Sequence, residues 1–200
     1  MKLSFIHAGN FKLDGGAMFG VIPKRMWEKL NPADQNNLCS WSMRCLLIEE
    51  GKCKILVDTG MGDKQDDKFK SIFEPFGPQT LLGSLKEQGM NPEDITDVFL
   101  THLHFDHCGG AVSRKENGEL VPTFPNATYW SSRKHWDWAM NPNAREAASF
   151  LKENFVPLLE AGIVKFVEES GQEVFPGVKA EFFFGHTEEM MGLHINNDKG

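Results

Sequence analysis

The apolar run Ile95-Thr96-Asp97-Val98-Phe99-Leu100 leads directly into Thr101-His102-Leu103-His104-Phe105-Asp106-His107-Cys108-Gly109-Gly110, which gathers three imidazoles and a carboxylate into six residues. The turn residues Asn91-Pro92-Glu93-Asp94 introduce the run, so it predicts a buried strand with the histidines in the loop at its end. Side chains two apart in extended backbone project to one side, which lets His102 and His104 share one cation. Asp106 and His107 fall past the bend and can face a second cation. Neutral imidazole suits zinc, iron or manganese, and a carboxylate among the histidines favours a catalytic site with an open position over a closed structural one. Gly109 and Gly110 are expected to let the backbone turn tightly beneath the cluster. The plain alternative, a solvated polar loop, has no need of so many imidazoles at this spacing.

Two hundred residues suffice for one compact α/β domain spanning 1–200, and no linker, low-complexity tract or short repeat interrupts them. The formal net charge of −7 is spread among interspersed acids and bases, without the basic stripe that a nucleic-acid backbone requires. The opening Met1 to His7 is too short an apolar run for a signal peptide, and no stretch reaches membrane-spanning length. Cys39, Cys45, Cys53 and Cys108 form no Cys-x-x-Cys pair, which predicts free thiols in a cytoplasmic protein. Cys108 is expected to pack as a small buried hydrophobe.

Hydrophobic periodicity predicts a strand at Leu3–His7, a long loop to Pro23, a short helix at Lys24–Leu30, and strands at Ser42–Glu49 and Cys53–Asp58. Helices are expected at Asp67–Phe73 and Thr80–Gln88, the second capped by Gly89. Beyond the histidine loop come a strand at Thr128–Trp130 and helices at Ser132–Met140 and Asn143–Glu160. Strands at Ile163–Val167, Glu173–Phe175, Val178–Phe184 and Gly192–Ile195 are expected to form a second sheet. Strands grouped in this way predict two sheets packed face to face with helices outside. His7, His135 and His194 are expected to be packed or exposed. The tryptophans read as core or pocket wall, with Tyr129 to Trp138 as an apolar surface for substrate.

His102-Leu103-His104-Phe105-Asp106-His107 resembles the signature of the metallo-β-lactamase fold superfamily. Lys54-Ile55-Leu56-Val57-Asp58-Thr59-Gly60, Gly89 to Ile95 and Phe184-Gly185-His186-Thr187 resemble further segments of that superfamily in order and spacing. The histidine segment with its following Gly-Gly, and the glycine-rich Phe11 to Gly20, look most like the N-acyl-homoserine-lactone lactonase branch. The resemblance implies an αββα sandwich of two mixed sheets with metals at one edge. It also implies that His102, His104 and His186 hold the first metal and that Asp106 and His107 hold the second. Asp58 either caps a turn or orients the metal loop by accepting hydrogen bonds from ligand imidazoles or loop amides.

The chain departs from that pattern at its end. The superfamily's bridging aspartate and final histidine have no match, and a second glycine-histidine pair is replaced by Glu188-Glu189-Met190-Met191. Asp198 comes too early, in the polar Asn196–Gly200 stretch, which reads as a hairpin turn. The C-terminal part is therefore expected to be incomplete: either the chain is a fragment that lacks its last strands and helix, which the unpaired sheet edge favours, or it is naturally short with a weakened second metal site. The expected activity is hydrolysis of a small ester-like substrate, a lactone first, by a hydroxide held between two divalent metals, zinc first with manganese or iron as alternatives. Asp106 would ligate and move the proton. A glyoxalase II-like thioesterase, a phosphoesterase and a non-catalytic metal-binding protein are the rival readings. A small molecule is the expected partner, nucleic acid and membrane are not, and a homodimer stays open.

Overall fold

The middle strands of the central sheet are apolar on both faces, because both faces are covered. In the computed structural model, which describes residues 1–196, the strands are β1 (Lys2–Asp14), β2 (Leu38–Glu50), β3 (Cys53–Val57), β4 (Asp97–Phe99), β5 (Val112–Arg114), β6 (Leu120–Pro122), β7 (Thr128–Ser132), β8 (Val164–Val167), β9 (Glu173–Phe175), β10 (Val178–Phe183) and β11 (Met190–Ile195). The helices are α1 (Gly15–Phe19), α2 (Lys24–Trp27), α3 (Asp67–Phe73), α4 (Leu81–Glu87), α5 (Phe105–Cys108), α6 (Arg133–Met140) and α7 (Val156–Glu160). Residues 197–200 of the expected hairpin turn lie outside the described residues.

Six strands form a mixed sheet in the order β1-β2-β3-β4-β7-β8, and three form a second sheet in the order β11-β10-β9. Successive residues point to opposite faces. Leu47, Leu56 and Val98 pack with Leu81 and Leu85 of α4, Trp136 of α6 and Leu158 of α7. Their neighbours Ile48, Ile55 and Phe99 pack on the other side against Phe175, Val178, Ala180 and Met191 of the second sheet. This double burial explains why β3 and β4 read as continuous apolar runs, as parallel strands covered on both faces do. The outer face of the second sheet carries the exposed Lys179, Phe183 and His194. The sheets thus pack face to face as the sequence predicts.

Several elements differ from expectation. β1 continues through Asp14, where a loop is expected from residue 8, because a bulge between His7 and Asn10 preserves its pairing with a β2 that begins at Leu38. Gly9, at φ 113°, supplies the conformation the bulge needs. Asp14 then caps α1, its Oδ1 accepting from the amides of Gly16 at 2.7 Å and Ala17 at 3.2 Å. The single helix expected over Asn143–Glu160 is instead two 3-10 turns, Ala147–Ser149 and Lys152–Asn154, followed by α7. Pro157 has no amide hydrogen and is tolerated only in a first helical turn, where it sits. Ile163–Val167 is expected in the second sheet, but β8 pairs parallel with β7 and so extends the first. The β5-β6 hairpin was not anticipated, since each strand is only three residues long.

The glycines beneath the histidine loop have a different purpose from the one expected. Neither Gly109 nor Gly110 has a positive φ. Each instead lies against the 59–61 turn, where a Cβ on Gly109 would stand 2.2 Å from the carbonyl oxygen of Met61 and one on Gly110 would stand 2.3 Å from that of Thr59. Close approach of backbone is what requires glycine here. Gly109→Ala should therefore destabilise the protein by about 1–3 kcal/mol through overpacking, read as a shifted urea midpoint. An unchanged midpoint would show that the turn yields without cost.

Candidate metal centre

The site lies at the C-terminal ends of β3, β4 and β7, where β10 also delivers its following loop. After β4 the chain leaves the sheet at Thr101, and His104 at φ −65°, ψ 148° ends the extended stretch as N-cap of α5. Asp106 and His107 therefore sit on a short helix beside the His102–His104 pair. The loop between β10 and β11 brings in His186, and β11 is tied back to the metal loop by the amide of Met191, which donates to the Thr101 carbonyl at 2.8 Å.

The structure brings His102, His104 and His186 together, with one ring nitrogen of each within 4.8 Å of the others. The Nε2 atoms of His186 and His102 are 3.3 Å apart. Asp106 and His107 stand beside this trio as a second pair. Asp106 Oδ2 lies 3.5 Å from His107 Nε2, and the rings of His102 and His107 are centred 4.0 Å apart.

Asp58 determines which nitrogens face inward. Its carboxylate accepts from the Thr101 amide at 2.8 Å, from the Thr101 hydroxyl, and from His107 Nδ1 at 2.8 Å. The Thr101 hydroxyl has one hydrogen, which goes to Asp58, so at 3.0 Å it can only accept from His102 Nδ1. Both His102 and His107 thus carry a hydrogen on Nδ1, which leaves Nε2 as the nitrogen each can turn to a metal. Asp58 itself adopts φ 60°, an uncommon conformation for a residue with a side chain.

Electrostatics divide the histidines. Burial holds His102 well below its usual range and, with the neighbouring imidazoles, lowers His104 to about 3. His186 is lowered by the same causes. Burial also opposes a charge on His107, but the carboxylates of Asp58 and Asp106 outweigh it and raise this residue to about 9. Buried, neutral imidazoles with nitrogens converging on one point are a donor set suited to a divalent transition metal, and His104 Nε2 is buried without any hydrogen-bond partner. The residues fit a metal.

Two further residues border the cluster, and the first is packed, one of the two states expected of it. His135 is buried, accepts the Leu103 amide at Nε2 (2.8 Å) and donates from Nδ1 to the Glu188 carbonyl (2.6 Å), so it ties the metal loop to the loop of His186. Glu146, from the irregular stretch misread as helix, lies 3.9 Å from His104. The Glu188–Met191 stretch adds no donor to the trio: Glu189, buried at φ 51°, takes the Ser132 hydroxyl at 2.9 Å and Lys134 at 3.1 Å. Tyr129 and Trp136 are core residues, so the substrate surface expected from Tyr129 to Trp138 is not formed by them. The four cysteines are free. No helix among the described residues is long and apolar enough to cross a membrane.

A histidine-lined metal site at the strand ends of a two-sheet sandwich defines a class of metal-dependent hydrolases. A family profile described as the metallo-beta-lactamase superfamily matches residues 44–199, and the chain belongs to that superfamily. An N-acyl homoserine lactonase of Bacillus cereus is 29% identical over 208 aligned residues, which cover 99% of this chain and 71% of that protein. A probable metal-dependent hydrolase from Staphylococcus aureus superposes with a TM-score of 0.85 at 27% identity, covering 96% of this chain and 67% of its own. An N-acyl homoserine lactone hydrolase with N-hexanoyl-L-homoserine bound at its catalytic metal centre gives a TM-score of 0.68 at 27% identity, covering 99% and 71%.

The pKa shifts predict a stability maximum near pH 6.5 for the metal-free protein. His104 and His135, lowered to about 3 and about 4, bind protons first in the unfolded chain, so their contribution is complete above about 6.5 and is lost as pH falls toward those values. His107, raised to about 9, contributes fully below about 6.5 and loses its contribution as pH rises through 9. Melting temperatures of chelator-treated protein across this range should fall on both sides, and His107→Asn should flatten the alkaline limb. An alkaline limb that persists in the variant would assign it to another group.

Proposed function

We propose that the chain hydrolyses small lactones, N-acyl homoserine lactones first, with His102, His104 and His186 holding one divalent metal and Asp106 with His107 a second. Zinc is the first choice, because mixed imidazole and carboxylate donors suit it, with manganese or iron as substitutes. When bound, such ions supply Lewis acidity toward the ester carbonyl and toward water. Asp58 binds Nδ1 of His107, and through Thr101 that of His102, so that Nε2 of each ring is the nitrogen turned to the metals. The Asp106 carboxylate accepts the proton of the attacking water and returns it to the leaving alkoxide.

The observation that carries the substrate class is a pocket of about 260 Å³ that opens onto Asp106 and His107 and is walled by Phe11, Met18, Trp41 and Met43, with Arg44 beside them. Apolar walls beside a polar reacting edge suit an acyl chain joined to a lactone ring. The glycine-rich Phe11 to Gly20 segment contributes to this pocket as the end of β1 and as α1. The relatives named for lactone hydrolysis support the same substrate. Free thiols fit a reducing cytoplasm.

Rates on an acyl-homoserine lactone, a glutathione thioester and an aryl phosphotriester, each with and without chelator, test this reading. The lactone should be turned over fastest, chelation should abolish turnover, and longer acyl chains should be preferred at about 0.8 kcal/mol per buried methylene. A clear win for thioester or phosphotriester would replace the substrate class. Asp106→Asn should lower lactone turnover by about a hundredfold or more with melting close to wild type, since the amide keeps the shape and loses the charge. Full activity in that variant would remove Asp106 from the reaction.

A further inference from the structure

We infer that a second cavity, on the far side of the Met43 side chain from the metal edge, receives the end of a long acyl chain, and that Met43 is the gate between the two. The inference rests on the lactone reading proposed above. The pocket beside Asp106 and His107 has a volume of about 260 Å³, and a second one of about 300 Å³ has Met61, Phe69, Leu81 and Val112 among its walls. Met43 is the one residue that lines both. Sites that enclose small organic molecules run to about 300–1,000 Å³. The first cavity alone falls short of that range, and the two joined fall within it.

The partition is thin. A Cβ on Gly60, which borders the first cavity, would stand 3.5 Å from Met43 Sδ, and one on Gly9, which borders the second, would stand 3.4 Å from its Cε. The thioether therefore runs from one cavity toward the other with glycine at each end. Among the described residues its hydrogen bond is from the Met61 amide to Sδ, at 3.2 Å, and a thioether sulfur is a weak acceptor. An unbranched side chain with three rotatable bonds and open space on two sides can swing aside.

The second cavity suits a tail better than a separate ligand with a polar head. Ser113 Oγ and Thr123 Oγ1 bond each other at 2.6 Å, and Thr80 Oγ1 takes the Gly83 amide at 3.1 Å. Asn10 Oδ1 takes the Ser42 hydroxyl at 2.8 Å, and Gln65 Nε2 donates to Asn154 at 3.1 Å. These polar groups of the wall are engaged within the protein, and Asp63, Lys70 and Gln79 are exposed. What the wall leaves for a ligand is chiefly apolar contact, which methylenes satisfy.

The test compares kcat/KM of the zinc-loaded protein for dodecanoyl and butanoyl homoserine lactone. It also follows the Val112 methyl signals by NMR as each ring-opened product, dodecanoyl- or butanoyl-homoserine, is added. Met43→Ile keeps an apolar wall but makes it stiff, because the side chain is branched at Cβ. Met43→Ala opens the partition, and Ser113→Phe fills the second cavity. Each methylene that loses its place costs about fourfold. The dodecanoyl-to-butanoyl ratio should therefore fall about tenfold or more in Met43→Ile and Ser113→Phe, and rise in Met43→Ala. The dodecanoyl product should move the Val112 signals and the butanoyl product should not. If Ser113→Phe does not fold, the two Met43 variants decide by the same ratio. A ratio unchanged in the folded variants, with both lactones hydrolysed, would overturn the inference and leave the lactone reading standing. Val112 signals that respond to both products alike would also overturn it. A wild-type protein that hydrolyses neither lactone would remove the lactone reading, and the inference with it.

Discussion

The carboxylate of Asp58 is the group on which the rest of the site depends. It stands at the end of β3 and holds the chain leaving β4 by a backbone amide, a hydroxyl and an imidazole at once. Hydrogen bonds to an ionised acceptor are shorter and stronger than neutral ones, so this one side chain sets the direction of the histidine loop. The unusual backbone of Asp58 is the conformational cost, and three donors on a buried carboxylate offset it. The parallel pairing of β3 with β4 brings Asp58 and Thr101 to adjacent strand ends, and the Asp58 amide bonds the Phe99 carbonyl at 2.9 Å. Sheet topology and ligand orientation are consequently one arrangement.

The remaining tethers extend that arrangement to the second sheet. His135 joins the Leu103 amide to the Glu188 carbonyl, and the Met191 amide joins β11 to Thr101. His186 reaches the site only because its loop is fastened at these points. The donor set therefore comes from two sheets whose relative placement is set partly by apolar packing, through Phe99, Val178 and Met191, and partly by buried hydrogen bonds at the rim. Apolar packing tolerates small shifts, whereas hydrogen bonds fix position to a fraction of an ångström.

Legibility in the sequence followed the range of the interactions. The strands around Val98 and Leu56 were readable because burial on both faces leaves an uninterrupted apolar run, and the His102–His107 cluster because its members are neighbours in the chain. His186 needed the resemblance to a family, since nothing local distinguishes it. β1 was cut short because Gly9 and Asn10 look like a turn, while the pairing with β2 that carries the strand across them is visible only in three dimensions. Asn143–Glu160 failed for the converse reason: its composition suits a helix, but Pro157 and the buried Phe150 and Phe155 hold it in short turns. The partners of His135 and Glu146 were illegible because Leu103 and Thr187 lie more than thirty positions away in the chain.

Cys108 follows His107 directly, yet the donor set contains no sulfur. Its thiol lies fully buried and donates to the Leu103 carbonyl at 3.2 Å, and burial pushes its ionisation far above neutral pH. Only a thiolate captures soft ions or reacts readily with peroxide. The fold thus keeps the softest donor in the neighbourhood protonated and bound to backbone, a poor ligand and a poor nucleophile beside the histidines.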